Sequence, residues 1–183
     1  GRIPPTWPPT GKYPWDGEPT APSRSNYFRY PAAYRSPVWP PGMDVTVLST
    51  GGTIASTGGD DGKTPTESGE DLIDAVPGLG ELASFSVERV ANVSGFDVTW
   101  ERATALRRAA RRAADESDGI VVTHGTDTMA ESAYLLDLTT DLGVPVAFTG
   151  AQRPFDEVGT DGPPNLLGAV RTVTHDRVGS GTY

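Results

Sequence analysis

A doubly wound α/β fold, Rossmann-like, with a mostly parallel sheet and helices on both faces, is what this 183-residue sequence predicts. Two observations carry that expectation. Apolar runs at 45–48, 120–122 and 144–149 read as buried parallel strands and alternate with longer stretches of helical period. Strands that alternate with helices argue for crossover units with right-handed connections. In addition, two Thr/Gly strings, TGGTIAST at 50–57 and THGTDT at 123–128, each follow such a run directly. In an open α/β sheet the carboxyl ends of neighbouring strands open onto one crevice where ligands bind. Two hydroxyl-rich loops at two strand ends are therefore expected to face each other across a site.

Taken in order, residues 1–42 stand apart. They hold 11 of the 17 prolines and three of the four tryptophans (Trp7, Trp15, Trp39). No helical or strand period survives that proline density, and pairs such as Pro8-Pro9 favour extended backbone. A Pro-rich ligand for an aromatic groove, a disordered tail, and sequence lying upstream of a true start at Met43 are the three readings. The last is preferred, because a clean strand begins two residues after Met43. The division is thus 1–42, an extension, and 43–183, an α/β domain incomplete at its C-terminal end.

A first strand is predicted over 45–49, then the Thr50 loop. Residues 58–62, Gly-Gly-Asp-Asp-Gly, are read as a mobile loop beside a strand end, as a lid requires. A short helix over 70–76 stops at Pro77-Gly78, and 85–93 is a strand. Thr99 caps a helix to Glu116 whose apolar face is Trp100, Ala103, Leu106, Ala110 and Ala113. Its four arginines, Arg107, Arg108, Arg111 and Arg112, read as a solvated face. A strand over 119–123 follows, then a helix through Leu138 with Thr128 and Glu131 as a capping box. A strand over 144–149 and a helix over 164–175, with Pro in its first turn, complete the pattern. The chain stops at 178–183, where another strand should begin.

The net charge of −9 hides a split: residues 1–42 carry +3, so the remainder carries −12, with Lys63 its sole lysine. A nucleic-acid partner would need a basic face, so none is expected. No run approaches the roughly 18 apolar residues of a membrane span, and no leader pattern is visible. A cytoplasmic location is expected. An acidic, lysine-poor surface suits solubility in high salt, where self-repulsion is screened. This suggests a halophilic, archaeal source, with an ordinary acidic protein of an arginine-rich proteome as the alternative. Cysteine is absent and only His124 and His175 are present, so no cofactor and no metal are expected.

The strings TGGTIA and HGTDTM, with GAQRPFDEVGTDGPPNLLGA at 150–169, make the region 43–183 resemble the bacterial and archaeal asparaginase/glutaminase family. The resemblance implies an α/β N-terminal domain, with the family's smaller C-terminal domain absent here. It implies hydrolysis of the side-chain amide of L-asparagine, and possibly of L-glutamine, to the acid and ammonia. Thr53 is the acyl-accepting threonine by this resemblance. Thr126 is the second threonine, with its backbone N–H in the oxyanion site. Asp127 holds the substrate α-amino group, and Gly52, Gly95, Phe96 and Gly125 complete the substrate-binding set. It also implies a homo-oligomer of the full-length protein, with a partner subunit completing each site.

The chemistry agrees with those residue types. Gly51-Gly52 lets backbone approach a substrate closely, and amide hydrolysis needs a nucleophile and oxyanion donors. A helix N-terminus after Asp127 favours negative charge. His124 is read as fixing its loop, not as a base. Three departures stand out. No tyrosine lies on the lid, which offers Thr64, Thr66, Glu67 and Ser68 instead. Gly95 stands where many members have serine, with Ser94 one place early. The lysine that partners the second threonine lies beyond Tyr183, so this chain by itself is expected to be inactive. Two alternatives remain: the glutaminase-like subunit of an archaeal tRNA-dependent amidotransferase, and a non-catalytic ligand-binding module. The second lacks any GxGxxG or GxxxxGK[ST] pattern.

Overall fold

The computed structural model describes residues 42–59 and 62–183. The readings of the Pro-rich extension up to residue 41, and of Asp60 and Asp61 at the centre of the expected lid, lie outside the described residues.

Five parallel strands form the main sheet: β1 (Asp44–Gly51) and, further along the chain, those labelled β4 to β7. Between them come the short antiparallel hairpin β2 (Ser56–Gly59) and β3 (Gly62–Pro65), then α1 (Gly69–Asp74). The rest of the order is β4 (Ser84–Val93), α2 (Trp100–Glu116), β5 (Gly119–Thr123), α3 (Met129–Thr139), β6 (Pro145–Thr149), α4 (Gly162–Val173) and β7 (Gly181–Thr182). Across the sheet the strands run β4-β1-β5-β6-β7. The chain therefore starts inside the sheet, steps out to β4, and returns over β1 to β5. That reversal lies between β1 and β5, whose pairing extends to Ser49 opposite Thr123. Both Thr/Gly strings leave the sheet at this point.

Alternation along the strands divides the core into two faces. Val45 and Val47 of β1, Val121 and Ala147 pack with Leu72 of α1 and with Leu166, Val170 and Val173 of α4. Leu48, Ile120, Val122 and Val146 pack on the other face with Leu106, Ala110 and Ala113 of α2 and Leu136 of α3. Helices thus cover both faces, as expected. The hand of the connections is not uniform, however. Steps from β4 to β5, β6 and β7 all run one way, so right-handed crossovers would put α2, α3 and α4 on one face and α1 on the other. Instead α4 shares the face of α1, and the β6–α4–β7 connection has the opposite hand to the other three.

Several local expectations are corrected. The 58–62 loop is flanked by paired strands: Gly58 opposes Lys63 and Gly59 opposes Gly62 in the hairpin. Residues 58, 59, 62 and 63 are thus in paired strands and not in a loop. Trp100 is 69 % exposed instead of joining the buried face of α2: it is the first residue of the helix, and the buried residues begin at Leu106, more than a turn further on. Thr99 does cap α2, accepting from Arg102 N at 3.4 Å. Thr128 makes no capping bond to α3; its hydroxyl donates to Gly95 O at 2.6 Å. A strand does begin before the chain stops: β7 pairs with β6 through Pro145–Gly181 and Val146–Thr182. Among the described residues no helix is long and apolar enough to cross a membrane.

Leu48 has no exposed surface and lies between the central strand and α2. Leu48→Ala should lower unfolding free energy by about 2–5 kcal/mol, measured by denaturant titration at unchanged slope.

Candidate functional site

Three chain segments meet at the carboxyl ends of β1, β4 and β5. After β1 the chain turns through Gly51 and Gly52, with φ of +96° and +80°, a region closed to most side chains. The Gly52 N–H donates to Val93 O at the end of β4, at 2.8 Å. Beyond β4, Gly95–Asp97 form a 3-10 turn. Beyond β5, residues 124–128 lead to α3.

These three segments touch backbone to backbone. A Cβ placed on Gly52 would stand 2.5 Å from Gly125 Cα, and one on Gly125 would stand 2.6 Å from Gly95 N. A Cβ on Gly95 would stand 2.5 Å from Asp127 Oδ2. Gly52, Gly95, Gly125 and Asp127 are thus one cluster. Thr53 and Thr126 each follow one of its touching glycines. A serine Cβ at position 95 would meet the movable Asp127 carboxylate at 2.5 Å and the Gly125 backbone at 3.0 Å, so it would need the carboxylate to shift. Phe96 follows Gly95 on the 3-10 turn and is 74 % exposed. The structure thus brings Gly52, Gly95, Gly125 and Asp127 into contact, with Thr53, Thr126 and Phe96 each next in sequence to one of those glycines.

The hydroxyls of the two strings divide into those in use and those left open. Thr50 Oγ1 donates to Thr123 O at 2.9 Å and Ser56 Oγ donates to Gly52 O at 2.7 Å. Thr57 Oγ1 bonds Thr66 Oγ1 at 3.0 Å, and Thr128 is tied to Gly95. Thr123 Oγ1 is sealed inside without a partner, which costs about 1–3 kcal/mol. Only Thr53 and Thr126 are partly exposed and make no side-chain hydrogen bond among the described residues. Asp127 is exposed and likewise unbonded.

Of the four lid candidates, Ser68 is consumed at the start of α1, where it accepts from Asp71 N and donates to Asp71 Oδ2. The N–H groups of Thr66 and Glu67 both donate to Ala55 O, at 2.9 and 3.0 Å. That fastens the end of the hairpin to the turn (Thr53–Ala55) that carries Thr53.

Beside Thr126 opens a pocket of about 270 Å³, lined also by Met129, Phe148, Gly150, Gln152, Asp161 and Asn165. Asp161 and Asn165 were not singled out from sequence. The available signal was an Asp immediately before Gly-Pro-Pro at a helix start. Burial sets the state of His124, which is 1 % exposed. Its Nδ1 lies 2.7 Å from Gly125 O, a carbonyl that only accepts, so Nδ1 carries the hydrogen. Desolvation holds its pKa below the usual imidazole value, partly opposed by that bond.

Fold and site together define an α/β protein with a switch-point crevice that offers two open threonine hydroxyls and a carboxylate. A family model described as Asparaginase, N-terminal, matches residues 44–183, and the chain belongs to that family. L-asparaginase 2 of Escherichia coli strain K12 is 41 % identical over 133 residues, 70 % of this chain and 38 % of that protein. The probable periplasmic L-asparaginase of Haemophilus influenzae is 39 % identical, over 75 % of this chain and 40 % of its own length. The crystal structure of the probable cytoplasmic L-asparaginase from Campylobacter jejuni superposes with a TM-score of 0.68 at 37 % identity, covering 76 % of this chain and 43 % of that one. The chain spans about two fifths of the length of these relatives.

The depressed pKa of His124 has a sign. The unfolded chain takes up a proton near the usual value of about 6.5, while the folded chain resists it until lower pH. The stability this neutral ring contributes is complete above pH ~6.5 and is lost as pH falls through the folded value. Denaturant titrations from pH 7.5 downward should show that loss, and His124→Asn should flatten the slope in this window.

Proposed function

We propose that the protein carrying this chain hydrolyses the side-chain amide of L-asparagine, with Thr53 as nucleophile. The observation that supports this most is the division of the hydroxyls: of seven in the two strings, the two left half-exposed and unbonded are those beside the touching glycines. In the proposed reaction Thr53 Oγ attacks the amide carbon. The oxyanion that forms accepts from the Thr126 N–H at the start of α3, where the helix terminus favours negative charge. The C–N bond breaks, the nitrogen leaves as ammonia with the proton Thr53 gave up, and an ester remains. Water then adds to the ester carbon, releases aspartate and restores the hydroxyl. Asp127 takes the substrate ammonium by a charge-assisted hydrogen bond, and Gly52, Gly95 and Gly125 let the substrate reach the backbone.

The finer parts of this reading have separate support. Asparagine is the first substrate because the relatives above are named L-asparaginases; glutamine is the second by the family resemblance. A homo-oligomer is proposed from that same resemblance. A cytoplasmic site of action has the Campylobacter relative in its favour and the Haemophilus one against it. Activity in high salt is proposed from the −12 charge of residues 43–183 and their single lysine.

The test is ammonia release from asparagine by the full-length protein, in dilute buffer and in molar salt. Thr53→Ala should lower kcat by at least about 10³-fold, as loss of a catalytic group that acts as part of a unit does, with a thermal midpoint near that of the parent. Turnover at the parent rate in the variant rejects Thr53 as nucleophile. Equal activity in both buffers rejects the salt requirement.

A further inference from the structure

Asp161 occupies the N-cap position of α4, where an aspartate ordinarily accepts from the first turn of its own helix. It makes no such bond, because the residues that would donate it, Pro163 and Pro164, have no N–H. Its carboxylate instead turns back to the exit of β6, accepting from Gln152 N at 3.0 Å and Arg153 N at 2.9 Å. It accepts from Asn165 Nδ2 at 3.2 Å as well. These N–H groups favour the charged form and hold the Asp161 pKa below the ordinary carboxylate value, the Gln152 bond being the largest cause. Asn165 Nδ2 also donates to Gly150 O at 2.9 Å. Gly150 lies against the second string: a Cβ there would stand 2.7 Å from His124 O and 3.0 Å from Thr126 Cγ2.

The segment that Asp161 closes into a loop reaches the first string too. Phe155 N donates to Ser56 O at 2.7 Å, and the Asp156 carboxylate accepts from Gly58 N at 3.0 Å. A Cβ on Gly162 would stand 3.3 Å from Ile54 Cγ1. Residues 150–162 therefore touch the Thr126 side through Gly150 and the Thr53 side through Phe155, Asp156 and Gly162. One carboxylate ties the two ends of that bridge together.

We propose that Asp161, through Asn165 and the 150–162 bridge, is a positioning residue that sets the separation of the Thr53 and Thr126 loops. It touches neither hydroxyl. Its effect is on the geometry in which a nucleophile on one loop meets an oxyanion donor on the other, and errors of about 1 Å in such a geometry cost up to ~10²-fold in rate. The proposal rests on the amidohydrolase reading for its kinetic consequence, and on the hydrogen bonds alone for its mechanical one.

The experiment uses the full-length protein with Asp161→Asn and Asn165→Ala. Asp161→Asn keeps the size but replaces an acceptor with an NH2 group facing N–H donors. Ammonia release should show kcat lower by about 10–100-fold, KM within about threefold, and a protein that remains folded by its thermal transition. Hydrogen exchange should speed up together at the amides of Phe155, Gly58 and His124, the last of which donates to Thr149 O at 2.8 Å. Asn165→Ala removes the link to Gly150 and one of the three donors to Asp161 but leaves the Gln152 and Arg153 bonds, so exchange should rise most at His124 and stay near parent values at Phe155 and Gly58. Parent-like kcat and parent-like exchange in folded Asp161→Asn overturn the proposal. So does activity lost only in proportion to the unfolded fraction. Should the parent release no ammonia from asparagine, the amidohydrolase reading fails, and the exchange pattern alone decides for or against the bridge.

Discussion

The contact of Gly52 with Gly125, and of Gly125 with Gly95, is the constraint on which the rest of the site depends. Neighbouring strands lie about 4.8 Å apart, and at a reversal of strand order the loops from the two central strands part to opposite faces of the sheet. Here the chain leaves β1 toward α1 and leaves β5 toward α3, which cover different faces. Two diverging loops can remain in contact at their roots only where neither carries a Cβ. Glycine at all three places lets the backbones close, and the next residue of two of the three loops is a threonine. The Gly52 N–H to Val93 O bond and the Thr128 hydroxyl on Gly95 O lock the third loop to the same point.

Hydroxyl-rich loops of this kind serve two purposes that compete. A Ser or Thr side chain readily satisfies nearby backbone groups, and each hydroxyl so used is lost to chemistry. Thr50, Ser56 and Thr128 do that work, each donating to a backbone carbonyl at a strand end or turn. Thr53 and Thr126 are spared, each partly exposed and without a side-chain hydrogen bond among the described residues. His124 contributes from inside: buried, it donates to the Gly125 carbonyl and fixes that peptide.

Much of this was legible in the sequence, and the limits have physical reasons. Strand positions followed from runs such as 120–122, whose burial is complete on both faces. The two strings located the crevice, since each directly follows such a run. Local bonds were less accessible. Thr128 three residues before Glu131 has the pattern of a capping box, yet its hydroxyl finds a carbonyl 33 residues away in sequence, and no local pattern encodes that. Trp100 fits the helical stripe but is exposed at the first position of α2, before its buried face begins. The glycine-rich hairpin reads as loop because its pairing comes from backbone alone. Gly95 departs from the pattern, and its contacts with the Gly125 backbone and the Asp127 carboxylate come from a segment about 30 residues away, which no local pattern encodes.

The hand of the last crossover is the feature furthest from sequence, because periodicity reports which face of a helix is apolar and not which face of a sheet it covers. It has a consequence for the site. With the common hand, α4 would join α3, and the segment leaving β6 would run away from the first string. Placing α4 beside α1 instead makes residues 150–161 cross the top of the sheet from the Thr126 side toward the Thr53 side. Only along that path can Phe155 reach Ser56 and Gly162 lie against Ile54. A carboxylate at the foot of α4 is then the shortest means of tying the departing chain to the helix it becomes. The usual capping bond is not open to it, because Pro163 and Pro164, the second and third residues of α4, carry no N–H. Three other N–H donors take up the carboxylate and hold the bridge in place.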